Sequence, residues 1–457
     1  MQSSIHNSHW HNNILPARLQ LQQQQQQRLL SKDRPHYYQE PPNMGAKTRA
    51  VWLVLSWMAI SQVQPQENTC VITDSSDCSI GSLTGRTLVY PGGNTSCFYS
   101  NETFPNPFAF QVDPGTENKI VFYLQGGGNC ASTSECFEST LLPPSSPKPT
   151  RNGIFDKKHR LNPLANWTII AVLYCSGDYH VGQARTPDGL INFQGRNNVL
   201  AAWNWVKTNI PNPERVIVSG CSAASIGMMY WSNPILQYYS NLPGASSSSS
   251  STILTALFDG HIGGAVPPVH LRAKQSVFNM CSATDFGWTD EQYQECLRDN
   301  FSPNDAQRAI QAAQRQKGHS AALFAFVSYK NDSPQRMSAC NNGDQPSPSG
   351  CPITQAQHYA LNQQMLLNYT EAAGPASSNN VLSYLINGAG HCLLHRNEFY
   401  RVDNNRNQPT LVEFLRQMAT RKIGTTLSSS CDPKISWRRH YDYSCDPTLT
   451  AAQFTQT

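Results

Sequence analysis

The stretch that decides the fold reads Val216-Ile-Val-Ser-Gly220-Cys221-Ser222-Ala223-Ala224-Ser225. A short β-branched run ends in a turn of small residues, and a helix-compatible segment follows. A strand that stops on a serine in this way has the layout of a nucleophile elbow: the turn lifts the hydroxyl above the sheet, and its neighbours must be small because the turn leaves no room for side chains. The usual pattern is G-x-S-x-G, and here Ala224 stands at the second glycine. Taken alone, the motif also fits an ordinary strand-to-helix turn with a capping serine.

Working outward, further short apolar runs alternate with helical patterns. Ile120-Val-Phe-Tyr-Leu124 leads into Gly126-Gly127-Gly128, and apolar runs recur at 167–173, 253–258, 323–329 and 381–386. Val199, Ala202, Trp203, Val206 and Ile210 fall at helical spacing, so 197–210 is predicted as an amphipathic helix ended by Pro211; others are expected around 290–298, 304–316, 354–369 and 409–420. Short apolar strands between amphipathic helices predict an α/β fold: a mainly parallel sheet with helices on both faces.

The turns at the strand ends carry the chemistry. A serine hydroxyl needs a base to become a nucleophile, and acyl transfer needs N–H groups aimed at the developing oxyanion. Ala223 offers one N–H. The glycine loop after 120–124 offers others, since glycine lets a backbone turn its amides inward without a Cβ clash. No G-K-[ST] follows, so this is not a phosphate loop. Gly388-Ala-Gly390-His391-Cys392 follows the last strand and supplies the candidate base, with His395 and His261 as rivals. Asp332, just past 323–329, is the favoured acid, with Asp259 in Phe258-Asp259-Gly260 as competitor. The order Ser…Asp…His matches the α/β-hydrolase arrangement.

Composition limits the rest. The chain has 457 residues, 39% of them hydrophobic, with 34 Lys and Arg against 30 Asp and Glu. The net charge of +4 carries no nucleic-acid signature. All 14 cysteines lie at or after Cys70, with no C-x2-C pair, which favours disulfides in an oxidising compartment over a zinc site. No H-E-x-x-H is present, and neither metal nor cofactor is expected. Residues 50–60 form an apolar run behind Lys47 and Arg49, of signal-peptide length and short of the ~20 residues a bilayer span needs. Starting at Met44, residues 44–65 read as a signal peptide, with an uncleaved signal anchor as the alternative. Residues 1–43, with a Gln run at 22–27, read as a disordered extension, and translation from Met44 would leave it unmade. The expected mature protein is one domain over 66–450, a monomer without a membrane span. Residues 65–115 read as a loop-rich, disulfide-tied lead-in, 245–252 as a serine-rich surface insertion, and 331–352 as a disulfide-pinned loop. Six N-x-S/T triplets begin at Asn94, Asn101, Asn166, Asn300, Asn331 and Asn368. Asn331 is expected to be unmodified beside Asp332.

Five segments together resemble the pectin acetylesterase/Notum family of carboxylesterases, in the family's order and over residues 80–395. Tyr123-Leu-Gln-Gly-Gly-Gly-Asn-Cys130 is similar to its L-E-G-G-G-W-C loop, and Leu173-Tyr-Cys-Ser-Gly-Asp178 to its Y-C-[DS]-[GS] segment. Gly220-Cys-Ser-Ala-Ala224 is similar to G-C-S-A-G-G, Phe258-Asp-Gly260 to D-[SA]-G, and Gly390-His-Cys392 to G-H-C. The resemblance implies Ser222 as nucleophile, His391 as base, Asp332 as acid, and the amides of Gly127, Gly128 and Ala223 as oxyanion hole. It also implies a substrate pocket near Gln125, Asn129, Asp178 and Asp259. Family members deacetylate pectin or remove palmitoleate from secreted signalling proteins. The expected activity is a secreted serine esterase that removes O-acetyl groups from cell-wall polysaccharide; an acylated-protein substrate is the alternative, and a non-catalytic polysaccharide-binding ectodomain a further one. The departures are Gln125 for Glu, Asn129 for Trp and Ala224-Ser225 for Gly-Gly. The Asn129 change bears most on substrate identity.

Overall fold

The computed structural model describes residues 67–74, 77–99, 107–138, 148–240, 252–264, 276–282, 284–298, 300–315, 322–340, 351–377, 380–401, 410–421 and 440–442. The readings of 1–43, of 44–65 and of the serine run 246–251 lie outside these residues. Twelve strands are described: β1 (Asn68–Val71), β2 (Thr87–Tyr90), β3 (Phe110–Asp113), β4 (Lys119–Leu124), β5 (Thr168–Val172), β6 (Ala184–Arg185), β7 (Asn192–Phe193), β8 (Arg215–Cys221), β9 (Ile253–Asp259), β10 (Leu323–Tyr329), β11 (Val381–Ile386) and β12 (His440–Asp442). The helices are α1 (Thr133–Glu138), α2 (Gly195–Asn209), α3 (Ala223–Ser240), α4 (Asp290–Leu297), α5 (Pro303–Arg315), α6 (Ser333–Cys340), α7 (Gln355–Ser377) and α8 (Leu411–Thr420).

Ten strands form one sheet in the order β1-β2-β3-β5-β4-β8-β9-β10-β11-β12. Every pairing from β5 to β12 is parallel, as is β1 with β2; β3 runs antiparallel to both its neighbours. The central strands are apolar without interruption because both faces are covered. Along β4, Ile120, Phe122 and Leu124 join the core under α2, α3, α5 and α7, while Val121 and Tyr123 join a second core under α8. Each side chain buried in this way contributes roughly 1.5–3 kcal/mol relative to exposure. Helix α3 is buried nearly all round, as expected for a helix without a polar stripe.

The described part of the lead-in over 65–115 is mostly loop and is tied by Cys70–Cys78 and Cys97–Cys175, as expected, but it also supplies β1, β2 and β3, the last antiparallel to both its neighbours. One expectation changes. The region 331–352 opens with α6 rather than a loop. Five disulfides are described: Cys70–Cys78, Cys97–Cys175, Cys130–Cys136, Cys221–Cys392 and Cys281–Cys296. Among the described residues, no helix is long and apolar enough to cross a membrane.

The parallel strands present two different edges. At their N-terminal edge, Arg86 donates to Asp113 (2.7 Å) and to the Phe155 carbonyl (2.8 Å). Lys157 Nζ donates to the carbonyls of Asp113 (3.3 Å), Pro114 (2.5 Å) and Trp167 (2.7 Å). These side chains, with Arg151 and Lys158, line a cavity of about 380 Å³. At the C-terminal edge lie the loops after β4, β8, β9, β10 and β11, where open α/β sheets bind their ligands.

Candidate active site

Ser222 follows β8 directly and sits at φ 59°, in the left-handed region that a non-glycine residue enters only when its surroundings hold it there. Its N–H donates to the Asp259 carbonyl (2.9 Å), and its own carbonyl accepts from Ser225 and Ile226 as α3 begins. The turn is tight: a Cβ on Gly220 would lie 2.5 Å from the Ala224 carbonyl oxygen. Ala224 lies in the first turn of α3, buried in the core. Ser225 donates from Oγ toward the carbonyls of Gly220 (2.5 Å) and Asp259 (2.8 Å) and accepts the Asp259 N–H (3.1 Å). The hydroxyl at 225 therefore laces the elbow to the end of β9.

Asp332 and His391 meet. Nδ1 of His391 lies 2.8 Å from each oxygen of the Asp332 carboxylate, which is fully buried. Asp332 immediately precedes α6 and its Oδ1 also accepts the Gln335 N–H (3.0 Å), an N-cap that adds the partial positive charge of the helix start. On the other side of the ring, His391 Nε2 is buried and has no hydrogen-bond partner among the described residues. Cys392, the next residue, is disulfide-bonded to Cys221, the residue before Ser222, with the Cα atoms 5.8 Å apart. The three residues thus come from three strand ends on one edge, two of them one position from a shared disulfide.

The glycine loop lies against the elbow. Gly126 packs so closely on the Cys221 carbonyl oxygen that no Cβ fits there, and Gly128 has φ 74°. The N–H groups of Gly127, Gly128 and Ala223 donate to no acceptor among the described residues. Behind the loop stands a brace of Tyr174, Asp178 and His180. Tyr174 donates to the Gly128 carbonyl (2.8 Å), and His180 Nε2 lies 2.8 Å from the Gln125 carbonyl. Asp178 accepts Ser176 Oγ and the N–H groups of His180 and Gly195. Burial pushes the Asp178 carboxyl up to about 6 and His180 down to about 4, so His180 is a neutral imidazole near pH 7.

The pocket-lining expectation holds for neither aspartate. Asp178 and Asp259 are fully buried, and their carboxylates are taken up by backbone amides. Gln125 is also a tie: its Oε1 accepts the Tyr174 N–H (2.9 Å) and its Nε2 donates to the Lys148 carbonyl and to Thr150 Oγ1 (both 2.9 Å). A glutamate would lose both donated bonds. Asn129 lies part-buried at the end of the glycine loop. Of the rival histidines, His395 Nδ1 faces the Tyr123 hydroxyl (3.3 Å). His261 is buried with an unpartnered Nε2, and burial with the charges of His391 and His358 pushes it down to about 3. Among the described residues, neither bonds a carboxylate. Sequence reasoning missed His180, which bonds the Gln125 carbonyl 55 positions away, and the role of Ser225, whose Oγ reaches the end of β9 34 positions away. Among the described residues, no cluster of His, Cys, Asp or Glu is arranged to hold a metal ion.

With this geometry in view, comparison with known proteins gives three findings. A family model described as Pectinacetylesterase matches residues 106–247, the stretch that carries the glycine loop, Asp178 and the elbow; Asp332 and His391 lie beyond it. No curated protein matches the chain. Among solved structures, that of the Wnt deacylase Notum from Drosophila is similar at a TM-score of 0.48 and 14% identity, over 74% of this chain and 94% of that one.

Proposed function

We propose, on the pectin acetylesterase/Notum family membership that the match over residues 106–247 supports, that this chain is a secreted serine carboxylesterase. Its proposed substrate is O-acetylated cell-wall polysaccharide such as pectin. The observation that carries the reading is the His391 ring: Nδ1 held by both Asp332 oxygens at 2.8 Å, Nε2 buried and open, and Cys392 bonded to the residue beside Ser222.

In this reading Ser222 Oγ attacks the acyl carbonyl while His391 Nε2 takes its proton. Asp332 accepts the Nδ1–H, fixing the tautomer and stabilising the imidazolium. The N–H groups of Gly127, Gly128 and Ala223 hold the oxyanion. His391 returns the proton to the departing alcohol oxygen as the C–O bond breaks, which leaves an acyl-Ser222 ester. Water then attacks that ester, giving its proton to His391, and the carboxylic acid leaves as Ser222 regains its hydroxyl. Five described disulfides fit an extracellular protein.

The test is turnover of p-nitrophenyl acetate, butyrate and palmitate by wild type and Ser222→Ala, with fluorophosphonate labelling. Short-chain turnover and labelling, both lost in the variant, are expected. A preference for palmitate moves the substrate to a long-chain acyl group on a protein. Absence of both turnover and labelling defeats the esterase reading and leaves a binding role.

A further inference from the structure

Asp259 closes β9, and among the described residues its carboxylate makes no hydrogen bond to His391. Its Oδ2 accepts the N–H groups of Leu393 (2.9 Å) and Leu394 (2.8 Å), and its Oδ1 lies 3.0 Å from the same Leu393 nitrogen. Its backbone does the complementary job on the elbow: its carbonyl accepts the Ser222 N–H, and its N–H and carbonyl both bond Ser225 Oγ. The next residue, Gly260, has φ 69°, and a Cβ there would lie 2.8 Å from Cys392 Sγ and 3.3 Å from His391 Cε1. The imidazole therefore rests against the turn that Asp259 begins.

We infer that Asp259 is a positioning residue for the proposed reaction, clamping the 391–394 loop onto the elbow so that His391 Nε2 faces Ser222. The inference rests on the serine-esterase reading. The Cys221–Cys392 disulfide sets how far apart the two loops are, but rotation about its bonds leaves their mutual orientation free. Two N–H groups converging on one carboxylate remove that freedom. A buried carboxylate is an expensive way to hold a loop, since burying charge must be offset by hydrogen bonds. Burial pushes the carboxyl up to about 6; the Leu394 and Leu393 amides and His391 pull it down, and Asp332 pushes it up. The other titratable groups that face it are the phenols of Tyr123, from β4, and Tyr329, from β10.

Asp259→Asn keeps the shape and exchanges one acceptor oxygen for an NH2 that faces the loop amides. On p-nitrophenyl acetate its kcat is expected to fall about 10–100-fold with KM held within about twofold, because only alignment in the transition state is lost. Fluorophosphonate labelling should slow by the same factor, the near-UV circular dichroism should persist, and amide exchange at Leu393 and Leu394 should quicken about tenfold or more. A folded Asp259→Asn enzyme with wild-type kcat, or with raised KM alone, overturns the inference. Should the variant not fold, exchange is measured on wild type at about pH 7.5, where Leu393 and Leu394 are expected to be protected to within about tenfold of the β8 and β9 amides; unprotected exchange at both overturns the clamp. A wild type without turnover or labelling, or a Ser222→Ala protein that keeps both, defeats the esterase reading instead.

Discussion

The two edges of the parallel sheet use polar groups in opposite ways. At the N-terminal edge the most buried cation is saturated: Lys157 gives its three donors to three carbonyls, while Arg86 bonds Asp113 and the Phe155 carbonyl. At the C-terminal edge, among the described residues, selected atoms are left open, namely His391 Nε2 and the N–H groups of Gly127, Gly128 and Ala223. A polar group whose bonds are all made within the fold is structure. A buried one held on one side and open on the other is poised for a reacting partner. Charge alone does not separate the two edges.

Substitutions can break this contrast. Ser222→Ala should cost the most, lowering turnover about 10⁴-fold or more while the urea midpoint barely moves. Asp332→Asn comes next, with a loss of about 10³–10⁴ in kcat, since the amide presents the wrong partner to Nδ1; the N-cap on Gln335 survives, so stability should change little. Lys157→Met inverts the pattern. Three carbonyls lose their donor, so urea unfolding should show a loss of about 1–3 kcal/mol with kcat unchanged. Reduced kcat in a folded Lys157→Met protein would dissolve the distinction between the edges.

Acid titration sharpens it with a smaller effect. Burial depresses His180 and His395 to about 4 and His261 to about 3, against 6.5 for the free group. The unfolded chain therefore binds more protons, and stability present above pH 6.5 is lost as pH falls toward these values. Asp178 and Asp259, raised from 3.8 to about 6, act in the opposite sense, because the folded form takes up their protons first. Their gain enters only near pH 6 and below, and three larger histidine shifts outweigh two carboxylates. The urea midpoint should start to fall just below pH 6.5 and keep falling toward pH 4; a midpoint that rises over this range contradicts the burial of these histidines.

Much of this was legible in the sequence, for a physical reason. Strands such as β4, β8 and β11 are buried on both faces and read as unbroken apolar runs. Ser222, Asp332 and His391 each stand just beyond such a run. The sheet's first three strands did not read as strands: each has four residues, and β2 and β3 bury the polar Thr87, Gln111 and Asp113. The choice between Asp332 and Asp259 stayed open at that level because both follow strands, and only the direction of each carboxylate separates them. The supports were hidden more deeply. Asp259 meets Leu394 across 135 positions, and Asp178 meets Gly195 across 17. A bond from a side chain to a distant amide sets no periodicity and demands no particular residue at its far end.

The Cys221–Cys392 bridge spans 171 positions of chain, and this gives the protein a biosynthetic timetable. The ribosome delivers the elbow long before the loop that must be stapled to it. Until those further positions have been made, neither Cys392 nor His391 exists to close on the elbow, so the two loops can be joined only late in synthesis, in whichever compartment supplies the oxidant.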